Sequence, residues 1–230
     1  MSTRAQTHSL FVGLATLDII LGVETFPDSN QKVVASRESI AAGGPAANAA
    51  VTCAFLGCPA VLLTALGGTS LAEVIRAELA EQSVSVVDMD PKTACPPPVA
   101  AIIVTLPSGD RTVVSPGALQ STAEPNETFG ALILASCAVL VDGHHPKLAL
   151  AAVRSARETG IHTILDGGNW KKTTGTLLPF VDTAICSNDF RPPDVRREDI
   201  LEFLQAQGVR HCCYHARVRA DSMGFRRRSR

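Results

Sequence analysis

Gly43-Gly44-Pro45-Ala46-Ala47-Asn48-Ala49-Ala50, with Gly57 and Gly67 following, is the stretch from which the fold of this chain can be read outward. Proline suits the first turn of a helix, where its missing N–H has no intrahelical partner in any case, so Pro45 predicts a helix start just after the two glycines. Paired glycines let backbone amides approach a ligand with no Cβ in the way. Asn48, four residues on, carries an amide that gives and accepts hydrogen bonds with hydroxyls. Amides and dipole at a helix start favour an anionic or hydroxyl-rich ligand. A tight strand-to-helix turn with small residues for close packing accounts for the same letters. A dinucleotide site does not, because the spaced glycine pattern and the downstream ribose-binding acid are both absent.

Around that corner lie 230 residues, 46% hydrophobic and 19% charged, with a formal net charge of -1. Such a chain can bury one sizeable core, which excludes disorder over its whole length. The charge balance excludes a generally basic nucleic-acid surface, with the closing Arg226-Arg227-Arg228-Ser229-Arg230 as a local exception. No basic-then-apolar signal segment opens the chain, and no apolar run approaches the roughly 18–20 residues that span a bilayer. The expectation is a cytoplasmic protein with no membrane or nucleic-acid partner. Seven cysteines, at 53, 58, 95, 137, 186, 212 and 213, form no obvious framework, and buried reduced thiols are expected.

Apolar β-rich runs at residues 10–14, 61–66, 99–106, 138–141, 161–165 and 183–186 alternate with helical patterns at 45–56, 71–82, 146–158 and 197–207. That alternation predicts an α/β fold with a mostly parallel sheet covered by helices. Two regions break the rhythm. Residues 19–23 with 32–40, and 100–106 with 111–115 around Pro107-Ser108-Gly109-Asp110, predict short strands and a hairpin forming a small flap. Residues 91–98, with four prolines, predict a rigid loop leading into it.

Gly13-Leu14-Ala15-Thr16-Leu17-Asp18 puts an acid just past the first strand, where open α/β sheets place ligand groups; a turn or cap residue is the alternative. With Asp18 upstream and the Gly109-Asp110-Arg111-Thr112 hairpin downstream, the segment 43–67 resembles the first signature of the ribokinase-like, phosphofructokinase-B-type (pfkB) carbohydrate kinases. The resemblance implies a ribokinase-like three-layer sandwich with a small β lid from about 19–42 and 99–116. It implies ATP-dependent transfer of the γ-phosphoryl group to a hydroxyl of a sugar or sugar-like alcohol, with Mg accompanying the nucleotide, and a possible homodimer through the lid. Asp18, Gly43, Gly44 and Asn48 then hold the polyol. In Val141-Asp142-Gly143-His144-His145-Pro146, His144 matches a substrate-reading position, with a solvated turn as the alternative. In Ile185-Cys186-Ser187-Asn188-Asp189-Phe190-Arg191, Asn188 matches a nucleotide-side position, while Arg191 stands where many members have a metal-linked Glu, so no metal ligand is assigned. The Asp166-Gly167-Gly168-Asn169 turn is expected to line the cleft.

The resemblance stops at about residue 211. The family's nucleotide-binding Thr/Gly segment and its Gly-Ala-Gly-Asp motif, whose Asp is the base, are not in this sequence, so no catalytic residue is assigned. Residues 1–211 are expected to form a partial kinase domain with its C-terminal part missing. Residues 212–230 read as an aberrant basic tail, as a shifted reading frame or early stop in a longer gene would produce. Cys212, Cys213 and His215 lack zinc-site spacing. Two functional classes stay open: a carbohydrate kinase, or a catalytically inactive sugar- or partner-binding remnant. A Rossmann-type oxidoreductase is a distant third.

Overall fold

The computed structural model describes residues 7–118 and 121–215. Strands β1 (His8–Val12), β4 (Ala60–Thr64), β5 (Val84–Asp88), β8 (Ser136–Val141), β9 (His162–Gly167), β10 (Thr183–Ser187) and β11 (His211–His215) form a wholly parallel sheet in the order β11-β10-β9-β8-β1-β4-β5. The chain builds outward from β1 to one side, then returns to build the other side from β8. Such a reversal opens a crevice at the carboxyl ends of the central strands. A second sheet, ordered β3-β2-β6-β7, is the lid: β2 (Thr16–Val23), β3 (Arg37–Gly43), β6 (Val99–Thr105) and β7 (Asp110–Val114). The expected α/β architecture with a parallel sheet and a small β lid is what the chain adopts.

Residue parity along β1 explains the layering. Leu10 and Val12 face one way, into a core shared with Val139, Val141 and Leu165. Phe11 faces the other way, against Leu62 and the alanines of α1 (Pro45–Phe55). Strands buried on both faces must be apolar at successive positions, which is the pattern here. On the first face α4 (Pro146–Glu158) lays down Leu148, Ala149, Ala152, Val153 and Ala156, a continuous stripe at helical spacing. The short helices α3 (Phe129–Leu134), α5 (Thr174–Leu177) and α6 (Ile200–Ala206) complete that layer. The opposite face is covered by α1 and α2 (Ser70–Glu81) along β1, β4 and β5. Farther along that face Ile185 on β10 is 48% exposed.

Several expectations need revision. Pairing does not begin at residue 32: β3 starts at Arg37 and runs on to Gly43, because its antiparallel register with β2 carries it down to Thr16. The helical pattern at 197–207 divides into a 3-10 turn, Arg197–Asp199, followed by α6. β5, α3 and α5 were not legible as elements. The Cys212-Cys213-Tyr214 segment, expected to begin the tail, instead continues β11, since the edge of β10 supplies a parallel partner for every residue from His211 to His215. Residues 216–230 of that expected tail lie outside the described residues. All seven thiols are free as expected, but burial is wrong for Cys58, Cys95, Cys137 and Cys213, which are exposed. Cys137, for example, sits at the irregularity where the β1–β8 register shifts.

One buried side chain ties the central elements together. Asp142, 1% exposed, follows β8 and accepts hydrogen bonds from Leu14 N (2.9 Å) and Ala46 N (3.1 Å) on Oδ2 and from His144 N (2.9 Å) on Oδ1. A Cβ on Gly13 would stand 2.2 Å from Oδ1, so only glycine fits beneath that carboxylate. Replacing Asp142 by Asn turns one acceptor into a donor facing backbone N–H groups, which leaves buried donors unpaired. Asp142→Asn is expected to destabilise the fold by about 2–3 kcal/mol and to lower the melting temperature by roughly 5–10 °C. Urea and thermal melts followed by Trp170 fluorescence test this, and unchanged midpoints would show that the three amides do not depend on the carboxylate.

Candidate functional site

The carboxyl ends of the parallel strands and the underside of the lid enclose one open cavity of about 1670 Å³. Each wall comes from a different element. β2 contributes Thr16 and Asp18, the start of α1 contributes Gly44 and Asn48, and the turns after β8, β9 and β10 contribute His144, Lys171 and Asn188. Asp110 and Arg111 reach in from the lid hairpin. Gly43 alone among the sequence-assigned residues is set back from the cavity wall.

The glycines do something other than bare their amides to a ligand. A Cβ on Gly43 would come 2.0 Å from Asp18 Oδ2, so Gly43 clears the space in which that carboxylate stands. Gly44 has φ of 101°, and a Cβ there would lie 2.4 Å from the Leu14 carbonyl oxygen. Its left-handed backbone and close approach seat α1 against the loop after β1. Asp18 is held by Thr16 Oγ1, which donates to Oδ1 at 2.5 Å, and its Oδ2 accepts no hydrogen bond from the described residues. Asn48, exposed on the first turn of α1, has its amide free of protein hydrogen bonds among the described residues.

His144 is in a defined tautomer. Its Nδ1 accepts from Ala118 N at 3.2 Å, so in the neutral ring the proton sits on Nε2. Burial pushes its pKa down, with Lys171 adding to that and Asp142 opposing it. The neutral imidazole therefore offers the cleft a donor. His145, 2% exposed, takes the left-handed conformation at φ 49° that lets Pro146 start α4. Its Nε2 lies 3.4 Å from Thr64 Oγ1 and its buried Nδ1 has no hydrogen-bond partner among the described residues. At the end of β10, Asn188 Oδ1 is likewise buried without a partner, while the Asn188 carbonyl accepts from the Tyr214 hydroxyl at 3.3 Å. Arg191, on the other side of that hydroxyl, donates to it at 2.7 Å. Among the described residues no three His, Cys, Asp or Glu side chains converge to hold a metal ion.

Two residues, Lys171 at the cavity wall and the buried Asp142, carried no role in the sequence. Asp142 is hidden in a turn whose histidines attract notice, and its signal is an acid between a buried strand end and a glycine. Lys171 is 6% exposed, and burial lowers its pKa while Asp142 and Asp166 act in the opposite sense. Burial also raises the pKa of Asp166, as does Asp142, against the pull of Lys171. The signal for this pair is a lysine following Trp170 in a turn that ends a parallel strand.

A profile of the pfkB family carbohydrate kinases matches residues 6–189. Among solved structures, a protein from Agrobacterium tumefaciens assigned as a ribokinase is 25% identical, with 89% of this chain and 68% of that one superposed at a TM-score of 0.75. A ribokinase from Giardia lamblia, 16% identical, covers 91% of this chain and 69% of its own at 0.76. The Arabidopsis thaliana ribokinase complexed with ribose and ATP, 19% identical, covers 92% and 72% at 0.70. At those lower identities the last two show a shared fold. No curated protein sequence matches the chain.

The buried histidines set a pH dependence. Burial holds His145 at a pKa of about 4, against 6.5 for an ordinary imidazole. Between those values the unfolded chain takes up a proton that the folded chain refuses, so stability falls as pH falls from about 6.5 toward 4. The loss from this group is about 2 kcal/mol by pH 5. His145→Asn, which tolerates the left-handed backbone, is expected to lose less stability between pH 7 and pH 5 than the wild type in urea melts. An identical slope in the two proteins would overturn the assignment.

Proposed function

The chain belongs to the pfkB family of carbohydrate kinases, and on that premise we propose that it binds a sugar or sugar-like alcohol between Asp18, Asn48 and His144 for phosphorylation of a hydroxyl by ATP. The observation that carries the reading is the convergence, in one lidded cleft, of a carboxylate acceptor, a free amide and a neutral imidazole donor. In this reading Asp18 accepts from two adjacent hydroxyls, Asn48 gives and accepts, and His144 donates through Nε2, the nitrogen left free by its bond from Ala118. Gly43 and Gly44 serve by clearance, as the seat of Asp18 and of α1. The lid would exclude water, which strengthens every polar contact inside.

ATP lies, in this scheme, beyond the end of β10, with the unpartnered Asn188 Oδ1 on its side of the cleft. Bound Mg²⁺ would neutralise charge on the transferring phosphates, held chiefly by the phosphates and water, since Arg191 replaces the acid expected there. Exposed Ile40, Val113 and Val114 on the lid support the pairing of two lids in a homodimer. No described helix is long and apolar enough to cross a membrane, and we place the protein in the cytoplasm.

A second reading rests on one sequence observation. No Gly-Ala-Gly-Asp segment occurs in these 230 residues, so the family's base and anion hole are not among them. Without a positioned base, transfer slows by about a hundredfold to ten-thousandfold, and a polypeptide limited to these residues would act as a sugar-binding remnant.

Calorimetric titration with D-ribose, D-fructose and ATP, followed by an assay of ADP release, separates these outcomes. Sugar binding weakened by at least about tenfold in Asp18→Asn is expected, because a charged acceptor and its bonds are lost. Binding of sugar and ATP with sugar-dependent ADP release establishes the kinase. Sugar binding alone establishes the remnant, and no sugar binding removes both.

A further inference from the structure

On the wall of the cavity that Asp18 lines stand two charged side chains that the acceptor corner does not use. Lys171 is anchored at three points. Its N–H donates to Thr174 Oγ1 (3.1 Å), its carbonyl accepts from Thr174 N (2.9 Å), and its stem lies over Gly143, where a Cβ would come 3.3 Å from Cδ. Its ammonium donates to the Asn169 carbonyl at 3.3 Å and makes no other hydrogen bond among the described residues. An ammonium has three donors, so two remain available at the cavity wall. Asp166, at the end of β9, lines the same cavity, and its carboxylate accepts no hydrogen bond from the described residues. No ion pair joins Asp166 and Lys171 within 4.0 Å among those residues. The Asp166 carboxylate is not sealed from solvent, so water serves it until a ligand takes its place. A fixed donor and a fixed acceptor, both unfilled and both facing one cavity, call for a ligand edge that accepts and donates side by side.

We propose that Lys171 and Asp166 form a second acceptor subsite that binds a vicinal diol of the sugar held by Asp18. The subsite rests on the sugar-kinase reading and extends it to substrate class. Lys171 donates to one hydroxyl oxygen, and Asp166 accepts from the neighbouring hydroxyl. Charge decides which sugars fit. The cavity wall carries four acids, Asp18, Asp110, Asp166 and Asp189, against two bases, Arg111 and Lys171, with Asp142 buried close by. The groups assigned to the sugar, Asp18 and Asp166 against Lys171, set two acids against one base, which favours neutral polyols over sugar acids, while the nucleotide sits at the Asn188 end.

The test uses the full chain with D-ribose, D-fructose and D-gluconate as probes, in calorimetry of the wild type, Lys171→Met, Asp166→Asn and Asp18→Asn. At least one neutral sugar is expected to bind the wild type, with D-gluconate at least tenfold weaker, and both subsite variants are expected to lose tenfold or more. Acetylation of Lys171 in the wild type, read by mass spectrometry, is expected to slow in saturating neutral sugar while exposed Lys147 is unaffected. That readout is independent of how well a variant folds. Sugar binding that is lost in Asp18→Asn but retained in both subsite variants, or unchanged Lys171 acetylation, overturns the subsite and leaves the sugar reading standing. D-gluconate binding as well as the neutral sugars overturns the substrate class. A wild type that binds none of the probes removes the sugar reading and the subsite with it.

Discussion

Everything at the mouth of this fold depends on the carboxylate of Asp142. It gathers three backbone amides, from the loop leaving β1, from the first turn of α1 and from its own turn after β8. Those are the segments that meet where the order of the parallel sheet reverses, so a single acceptor-only group joins both halves of the sheet at the crevice between them. A neutral amide could not satisfy three converging N–H groups with one oxygen, and in a buried setting each amide left over would be costly. The lid departs from Leu14 and Thr16, Asn48 rides on α1, and His144 follows Asp142 directly. Their mutual distances are consequences of the same clamp.

The structure uses one steric device twice. Gly13 makes room for the Asp142 carboxylate and Gly43 makes room for that of Asp18. In each case a hydrogen stands where a methyl group would collide, which brings a charge against the backbone at close range. One of the two carboxylates holds the scaffold together, and the other lines the cleft with an oxygen that no described residue bonds. The same closeness explains the electrostatics around them. Burial keeps His144 and His145 neutral and pushes Lys171 down and Asp166 up, because desolvation outweighs the charges nearby. The cleft thus keeps hydrogen-bonding capacity that its own side chains do not consume.

The elements that were legible in the sequence are those whose cause is local. Pro45 and Pro146 mark the starts of α1 and α4 because a proline's constraint acts within one turn. The Leu148 to Ala156 stripe and the Pro107-Ser108-Gly109-Asp110 turn are likewise settled by near neighbours. What escaped was imposed from a distance. Cys212-Cys213-Tyr214 has no alternating pattern of its own and becomes a strand because β10 offers it an edge. Arg37 rather than Lys32 begins β3 because the register is set against β2.

By itself the sequence determined an α/β chain with a small lid, the place of the acceptor corner and the family resemblance, since helix starts, turn chemistry and alternating runs are short-range properties of the letters. Only the tertiary structure decided what the key residues do there. It made the paired glycines sites of clearance, turned Asp142 from a turn residue into the central clamp, and brought Lys171 and Asp166 to the wall of the cavity that Asp18 lines. Those roles arise from burial and from contacts between residues up to 128 positions apart, as between Leu14 and Asp142, and neither dielectric nor long-range contact is written in local sequence.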